Sequence, residues 1–355
     1  MSTETNDNLS RHAADSNSKS SNTDFAANPR VHFYQNLNHV ELASMPRGRT
    51  VVFIPISPLE EHGPHLPFGV DAFMAEYFAR AAAEQITARR SAEGSEWHAI
   101  ILPPFFAGSD TLHFLGSIEV RQSAIRDLIF DCARKLAQDG FQRIVAVGGH
   151  GGPRHNVALE EVASYISWRH RPTRMVSATS KLLFDILDGK MTDSIADRMA
   201  QNGSSLSSEE RLAFKTDYHA GMLETSIMMV IKPDLVKPHY IDLKPALLNS
   251  PWKIRKNSGQ KIGGGLGHLG SPALARREIG EATISVLLDH IVPLLERFLD
   301  GDRRVEREFR SKFYYIPFFR TQFKYFAAVL AGFFILVGMT SFFMRFISQM
   351  NDLGR

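Results

Sequence analysis

A single cysteine, Cys132, stands in 355 residues, so the chain has no disulfide framework and no cysteine-built zinc site. It also lacks the phosphate-cradling pattern G-x-x-x-x-G-K-[ST] and the nucleophile elbow G-x-S-x-G, which argues against a P-loop nucleotide hydrolase and a serine α/β-hydrolase. No apolar run occurs in residues 1–30; rich in Ser, Asn, Asp and Thr, they lack the core of a signal peptide and read as a disordered tail. The net charge is only +3, and seven Lys/Arg between residues 303 and 324, against Glu306 and Glu308, leave the rest slightly acidic. Basicity confined to one stretch does not describe a nucleic-acid-binding face, so none is expected. With 44% hydrophobic and 22% charged residues, the chain is neither fully disordered nor collagen-like.

What the sequence does have is one long uncharged run, Tyr325–Met344. At about 1.5 Å per helical residue, its length matches the roughly 30 Å hydrocarbon layer of a bilayer. Lys324 and Arg345 bracket it and aromatic residues crowd both ends, so a C-terminal transmembrane helix over 325–347 is expected, followed by a short tail over 348–355. The alternative is a buried core or oligomer-interface helix. Arg303, Arg304, Arg307, Arg310, Lys312, Arg320 and Lys324 precede the run and only Arg345 and Arg355 follow it, which places the globular part on the cytoplasmic side of a membrane. Residues 301–324 read as a basic juxtamembrane linker, either drawn to anionic lipid or simply solvated.

Between these ends, apolar runs alternate with helical patterns. Val51–Ser57, Ile100–Pro103, Arg143–Val147 and Arg174–Ala178 read as strands, and Asp71–Arg90, Gln122–Asp139 and Asn156–Trp168 as helices. This alternation predicts a three-layer α/β domain over 31–300, a mostly parallel sheet with helices on both faces. Thr192–Lys215, polar and Ser-rich, reads as an insertion resembling a lid.

Such folds place their sites beyond the carboxyl ends of the strands. LEEHGPHLPFGVD follows the first strand and holds Glu60, Glu61, His62, His65 and Asp71; GGHGG follows the strand Arg143–Val147 and holds His150. DYHAGMLETS adds Asp217, His219 and Glu224, and Gly108–Gly116 adds His113. Carboxylates and imidazoles without thiols suit Zn, Mn or Fe, and a carboxylate is able to bridge two ions. Two ions a few ångströms apart acidify a shared water and polarise the carbonyl it attacks. His65, His113 or His155 alone is more simply a structural histidine, whereas Glu60, His62, Asp71 and His150 cluster at strand ends. Glu61 is expected to face solvent. GGGLGHLG contains G-x-G-x-x-G, but no clear strand precedes it, so a nicotinamide site is not expected, and Cys132 reads as a packed small hydrophobe.

LEEHGPHLPFGVD, GGHGGPRHN and HAGMLETSIMMVIKPDLV, with a weaker echo in GHLGSPALARREIGE, resemble the ordered motifs of the creatininase family across about residues 31–298. The resemblance implies a three-layer α/β fold, amidohydrolase chemistry on a small cyclic or open amide, two divalent ions per chain and a homo-oligomer, a hexamer. It further implies that Glu60, His62, Asp71 and His150 are ligands with Asp71 bridging, that Glu224 is a further ligand or site acid, and that His219 is a general acid for the leaving nitrogen. Creatininase itself has a glutamate ligand where this chain has Gly152, so creatinine is a poor substrate expectation, while other family branches share the glycine. Gly148 and Pro153 replace two asparagines of the family motif, which alters the pocket wall. The expectation is a membrane-tethered metal-dependent amidohydrolase, with a peptidase of small peptides or a catalytically weak scaffold subunit as alternatives.

Overall fold

The computed structural model describes residues 28–353; nearly all of the tail expected over 1–30 lies outside the described residues. Six strands, β1 (Val31–Phe33), β2 (Thr50–Ser57), β3 (His98–Ile101), β4 (Phe105–Phe106), β5 (Arg143–Val147) and β6 (Arg174–Ser177), form a wholly parallel sheet. Its order is β1-β3-β2-β5-β6, with β4 pairing the end of β2. Every residue of β2 is buried, as a central parallel strand covered on both faces requires. Val51 and Phe53 point into one core and Val52, Ile54 and Ile56 into the other, the alternation of a pleated strand.

The helices follow in chain order: α1 (His39–Ser44), α2 (Val70–Ala92), α3 (Gln122–Gln138), α4 (Pro153–Arg169), α5 (Ser180–Leu187), α6 (Thr192–Gln201), α7 (Ser208–Ala213), α8 (Met222–Ile231), α9 (Ser258–Lys261), α10 (Arg277–Leu299), α11 (Val305–Glu308) and α12 (Phe323–Leu353). Residues of α2, α6, α8 and α10 build the core on one face of the sheet, and those of α3 and α4 the core on the other, giving the three layers expected. The chain leaves β2 through α2 to β3, then crosses back through α3 to β5 on the opposite side of β2. The crevice between the carboxyl ends of β2 and β5 is therefore the topological switch point, where open α/β sheets bind ligands.

The segment 192–215 is no lid. Ile195 and Met199, four residues apart on α6, are fully buried in the core that α10 shares, and α7 is fixed by the Ser207–Glu210 capping box and the Glu210–Arg276 ion pair at 2.5 Å. Its polar composition belongs to the turns and outer faces.

The stretch 301–324 is folded rather than loose. Ser311 donates from its backbone N to Glu160 on α4 at 2.5 Å and from Oγ at 3.1 Å, Arg320 pairs with Glu161 at 3.1 Å, and Gln122 donates to the Phe319 carbonyl at 2.7 Å. Phe313 is buried between Phe184 and Phe319, with ring centroids 4.6 and 4.8 Å away, a contact contributing roughly 1.5–3 kcal/mol. Beyond this strap, α12 continues to Leu353; its stretch Phe326–Arg345 has the length and composition of a membrane span, and none of it is buried.

Candidate metal centre

The turn after β2, the start of α2, the loop after β5 and the first turn of α8 converge at the switch point. There the Asp71 carboxylate stands between two imidazoles, with Oδ1 3.3 Å from His62 Nε2 and Oδ2 2.9 Å from His150 Nδ1. Glu60 Oε2 lies 3.1 Å from the same His150 nitrogen, and Glu224 Oε2 lies 3.6 Å from His62 Nε2. Two donor groups result, Glu60–Asp71–His150 and His62–His219–Glu224, each with its donor atoms within 4.8 Å of one another.

Local structure sets each orientation. His62 Nδ1 lies 3.0 Å from the Glu60 carbonyl, which only accepts, so this nitrogen carries a proton and the Nε2 that faces Asp71 is the one able to offer a lone pair to a cation. Glu60 Oε1 is held by the Leu112 backbone N at 2.5 Å, from the loop Gly108–Gly116. Ser57 and Thr179 accept from the backbone N of Gly149 and Gly148, both at 2.8 Å, and Asn156 donates to the His150 carbonyl at 2.7 Å. The glycines permit close approach. A Cβ on Gly149 would lie 2.2 Å from the Asp71 carbonyl oxygen, and one on Gly152 2.3 Å from His150 Nε2. Asp217 accepts from the Met222 and Leu223 backbone N at 2.8 and 2.6 Å, capping the helix that carries Glu224; burial pushes its pKa up to about 6.

Electrostatics describe a site in demand of cations. Burial works against a charged Asp71, yet His62 and His150 outweigh it and hold the carboxyl well below the usual range. Burial likewise opposes protonation of His62, but Asp71 and Glu224 raise its pKa to about 10, and Glu60 and Asp71 raise that of His150 well above the ordinary imidazole value. Glu60 Oε2, Asp71 Oδ2 and His62 Nε2 are buried without a hydrogen-bond partner among the described residues. Buried carboxylates and correctly oriented imidazoles, with unsatisfied donor atoms aimed at one another, fit divalent ions.

All five residues expected as ligands, and His219, meet here. His219 packs on His62 with centroids 4.3 Å apart, and its Nε2 donates to the Glu61 carbonyl at 2.5 Å. Glu61, expected in solvent, is buried and accepts from the Gly63 backbone N at 2.5 Å. Its burial follows from Gly267, where any Cβ would overlap its carboxylate, so the loop Gly263–Gly270 closes over it. The same loop braces His219, whose carbonyl accepts from the Leu269 backbone N at 2.7 Å. His65 and His155 stay outside the donor groups, both with pKa pushed down to about 3 first by burial; His65 pairs with Thr225 at 2.8 Å. His113 pairs with Glu119 at 3.2 Å, and burial pushes the half-buried Cys132 thiol up, away from reactivity.

The centre opens into a cavity of about 660 Å³ that also reaches Arg154, Phe184, Trp252, Phe313, Phe318 and Phe319. The family model described as creatinine amidohydrolase matches residues 35–295. This chain belongs to the creatininase family. The mycofactocin precursor peptide peptidase of Mycobacterium ulcerans is 25% identical over 262 residues, 73% of this chain and 90% of that protein. The creatinine amidohydrolase of Pseudomonas putida is 23% identical over 256 residues, 70% of this chain and 90% of that protein. A solved manganese form of creatininase covers 75% of this chain and 98% of its own with a TM-score of 0.51 at 21% identity, and a Zn–Zn form of a creatininase variant gives the same values. At such identities the solved structures speak for the creatininase fold.

Proposed function

We propose that this chain is a metal-dependent amide hydrolase that adds water across a C–N bond, held at a membrane by α12 with the catalytic domain on the cytoplasmic side. The observation that carries the reading is the Asp71 carboxylate, with one oxygen toward His62 and the other toward His150. Glu60, His62, Asp71, His150 and Glu224 would hold two divalent ions, Zn, Mn or Fe, with Asp71 common to both. Such ions supply a nucleophile from water near neutral pH and a Lewis acid for the amide carbonyl. The water oxygen joins the acyl carbon, the C–N bond breaks, and protons pass to the departing nitrogen, giving a carboxylic acid and an amine. His219, beside His62, partly exposed and with its ring held by the Glu61 carbonyl, would deliver that proton. Gly152 leaves His150 room that a larger residue would take, which supports a substrate other than creatinine. The family resemblance also supports a homo-oligomer.

A peptide substrate is the second reading, supported by the similarity to the mycofactocin precursor peptide peptidase and by a cavity of about 660 Å³, in the range that fits drug-sized ligands. The deciding experiment is metal content per chain by plasma mass spectrometry on the full protein beside Asp71→Ala, followed by an amide and peptide screen. Two ions lost together in the variant are expected. Wild-type metal content in the variant removes the bridging role, and a folded protein that takes up no ion favours a scaffold subunit.

A further inference from the structure

The strap between α11 and α12 supplies a wall of the cavity. Phe313, Phe318 and Phe319 line it together with Phe184 and Trp252, and the Trp252 and Phe313 rings are 5.8 Å apart. The cavity therefore has two chemically distinct parts, the carboxylate–imidazole centre and an aromatic cluster whose Trp252 and Phe313 rings also carry the Lys312 ammonium, itself paired with Asp188 at 2.8 Å. Arg154 joins them: it follows His150 by four residues, its guanidinium sits 4.6 Å over the Phe318 ring, and it makes no ion pair among the described residues.

The same strap runs into the apolar helix. Phe323, the first residue of α12, is the fifth residue after Phe318, a reach of at most about 18 Å even fully extended. Tyr315 and Phe318 are 61% and 54% exposed, large aromatic surfaces beside a candidate span, as at a membrane–water interface. A minimal amide would occupy only a small part of about 660 Å³ and would leave this wall unused.

We propose that the substrate is an anionic amphiphilic amide taken from the membrane surface, with its scissile bond at the metal centre, its acidic group at Arg154 and its apolar chain along the strap's aromatic wall. This rests on the amide hydrolase reading above. Water cleaves the C–N bond, leaving a fatty or aromatic carboxylic acid and a small amine-bearing acid.

The test uses the full chain in phosphatidylcholine nanodiscs with N-acetylglycine and N-decanoylglycine, which share one scissile bond and release the same glycine. Binding is followed by Trp252 fluorescence, with Trp252→Phe to assign the signal. Buried methylenes favour the longer chain, so tighter binding of N-decanoylglycine by about 30-fold or more is expected, with a similar preference in kcat/KM. That ratio is expected to collapse several-fold in Phe318→Ser, a substitution at a half-exposed position, and the melting temperature reports whether the variant is folded. Equal binding of the two probes, no binding of either, or a preference that Phe318→Ser leaves intact overturns the proposal, as does better hydrolysis of a soluble peptide ending in phenylalanine. Glycine release from both probes at equal rates would sink the aromatic wall and keep the hydrolase. Strap-dependent binding without glycine release would keep the wall and sink the hydrolase.

Discussion

Asp71 and His150 meet at 2.9 Å through Oδ2 and Nδ1, while the other Asp71 oxygen is committed to His62. One short carboxylate on the first turn of α2 thus joins two imidazoles from loops far apart in sequence, His62 after β2 and His150 after β5. A longer side chain would not be held as rigidly, and the N-terminal end of α2 adds its own favourable field for a negative charge.

His219→Ala is expected to retain the wild-type metal content and to lower kcat by about 10²–10⁴-fold, the range typical of a lost general acid. Steady-state kinetics on an active substrate, read beside metal analysis, checks it. Unchanged turnover would refute the acid role, and loss of metal would make His219 a ligand through its place beside His62 and Glu224.

Gly149→Ala is expected to lower stability by about 1–3 kcal/mol, because the new methyl group would meet the Asp71 carbonyl oxygen, a backbone atom that cannot swing aside. Urea unfolding measures the loss. A variant as stable as the parent would show that the β5–α4 loop and the start of α2 are less tightly packed than their geometry implies.

Glu160 links the strap to α4, and burial raises its pKa to about 7 despite the Ser311 hydrogen bonds. A carboxyl with a raised folded-state pKa favours the folded protein when protonated. Its penalty is absent below the unfolded value near 4.3, grows as the pH rises toward 7 and is complete above that, on the order of 3–4 kcal/mol. Unfolding free energy is expected to fall between about pH 5 and 8, and Glu160→Gln is expected to flatten that slope. An unchanged slope in the variant would assign the pH dependence elsewhere.

Removing residues from Lys324 onward is expected to release the protein from washed membranes with the cavity intact, since the strap ends before that point. Removing residues from 301 onward also deletes Phe313, Phe318 and Phe319, and is expected to lower the melting temperature by several degrees. Pelleting assays and thermal melts on the two truncations separate the roles. If the first truncation still sediments with membranes, attachment lies outside α12.

Much of this architecture was readable from residue patterns. Arg143–Val147 is a strand at the expected bounds, and α2 and α3 differ from their expected limits by one or two residues, because central parallel strands and amphipathic helices carry strong periodicities. The short edge strands β1 and β4 left no such signature, with three and two residues to express one. The burial of Glu61 has no local signature either, because it depends on Gly267, about two hundred residues away.

The chemistry available is written in the residue types themselves: carboxylates and imidazoles after two strands, glycines around His150, an uncharged run near the C-terminal end and a single cysteine outside these motifs. Residue type and local spacing are enough for that, since they act within a turn or a few residues. Which of these groups share a site is set by the folded arrangement. The crossing of the chain at β2 brings Asp71 between His62 and His150, and the fold of the strap turns a basic linker into a cavity wall. Both depend on packing between segments far apart in the chain, and non-local packing leaves no periodic trace in the segments it joins.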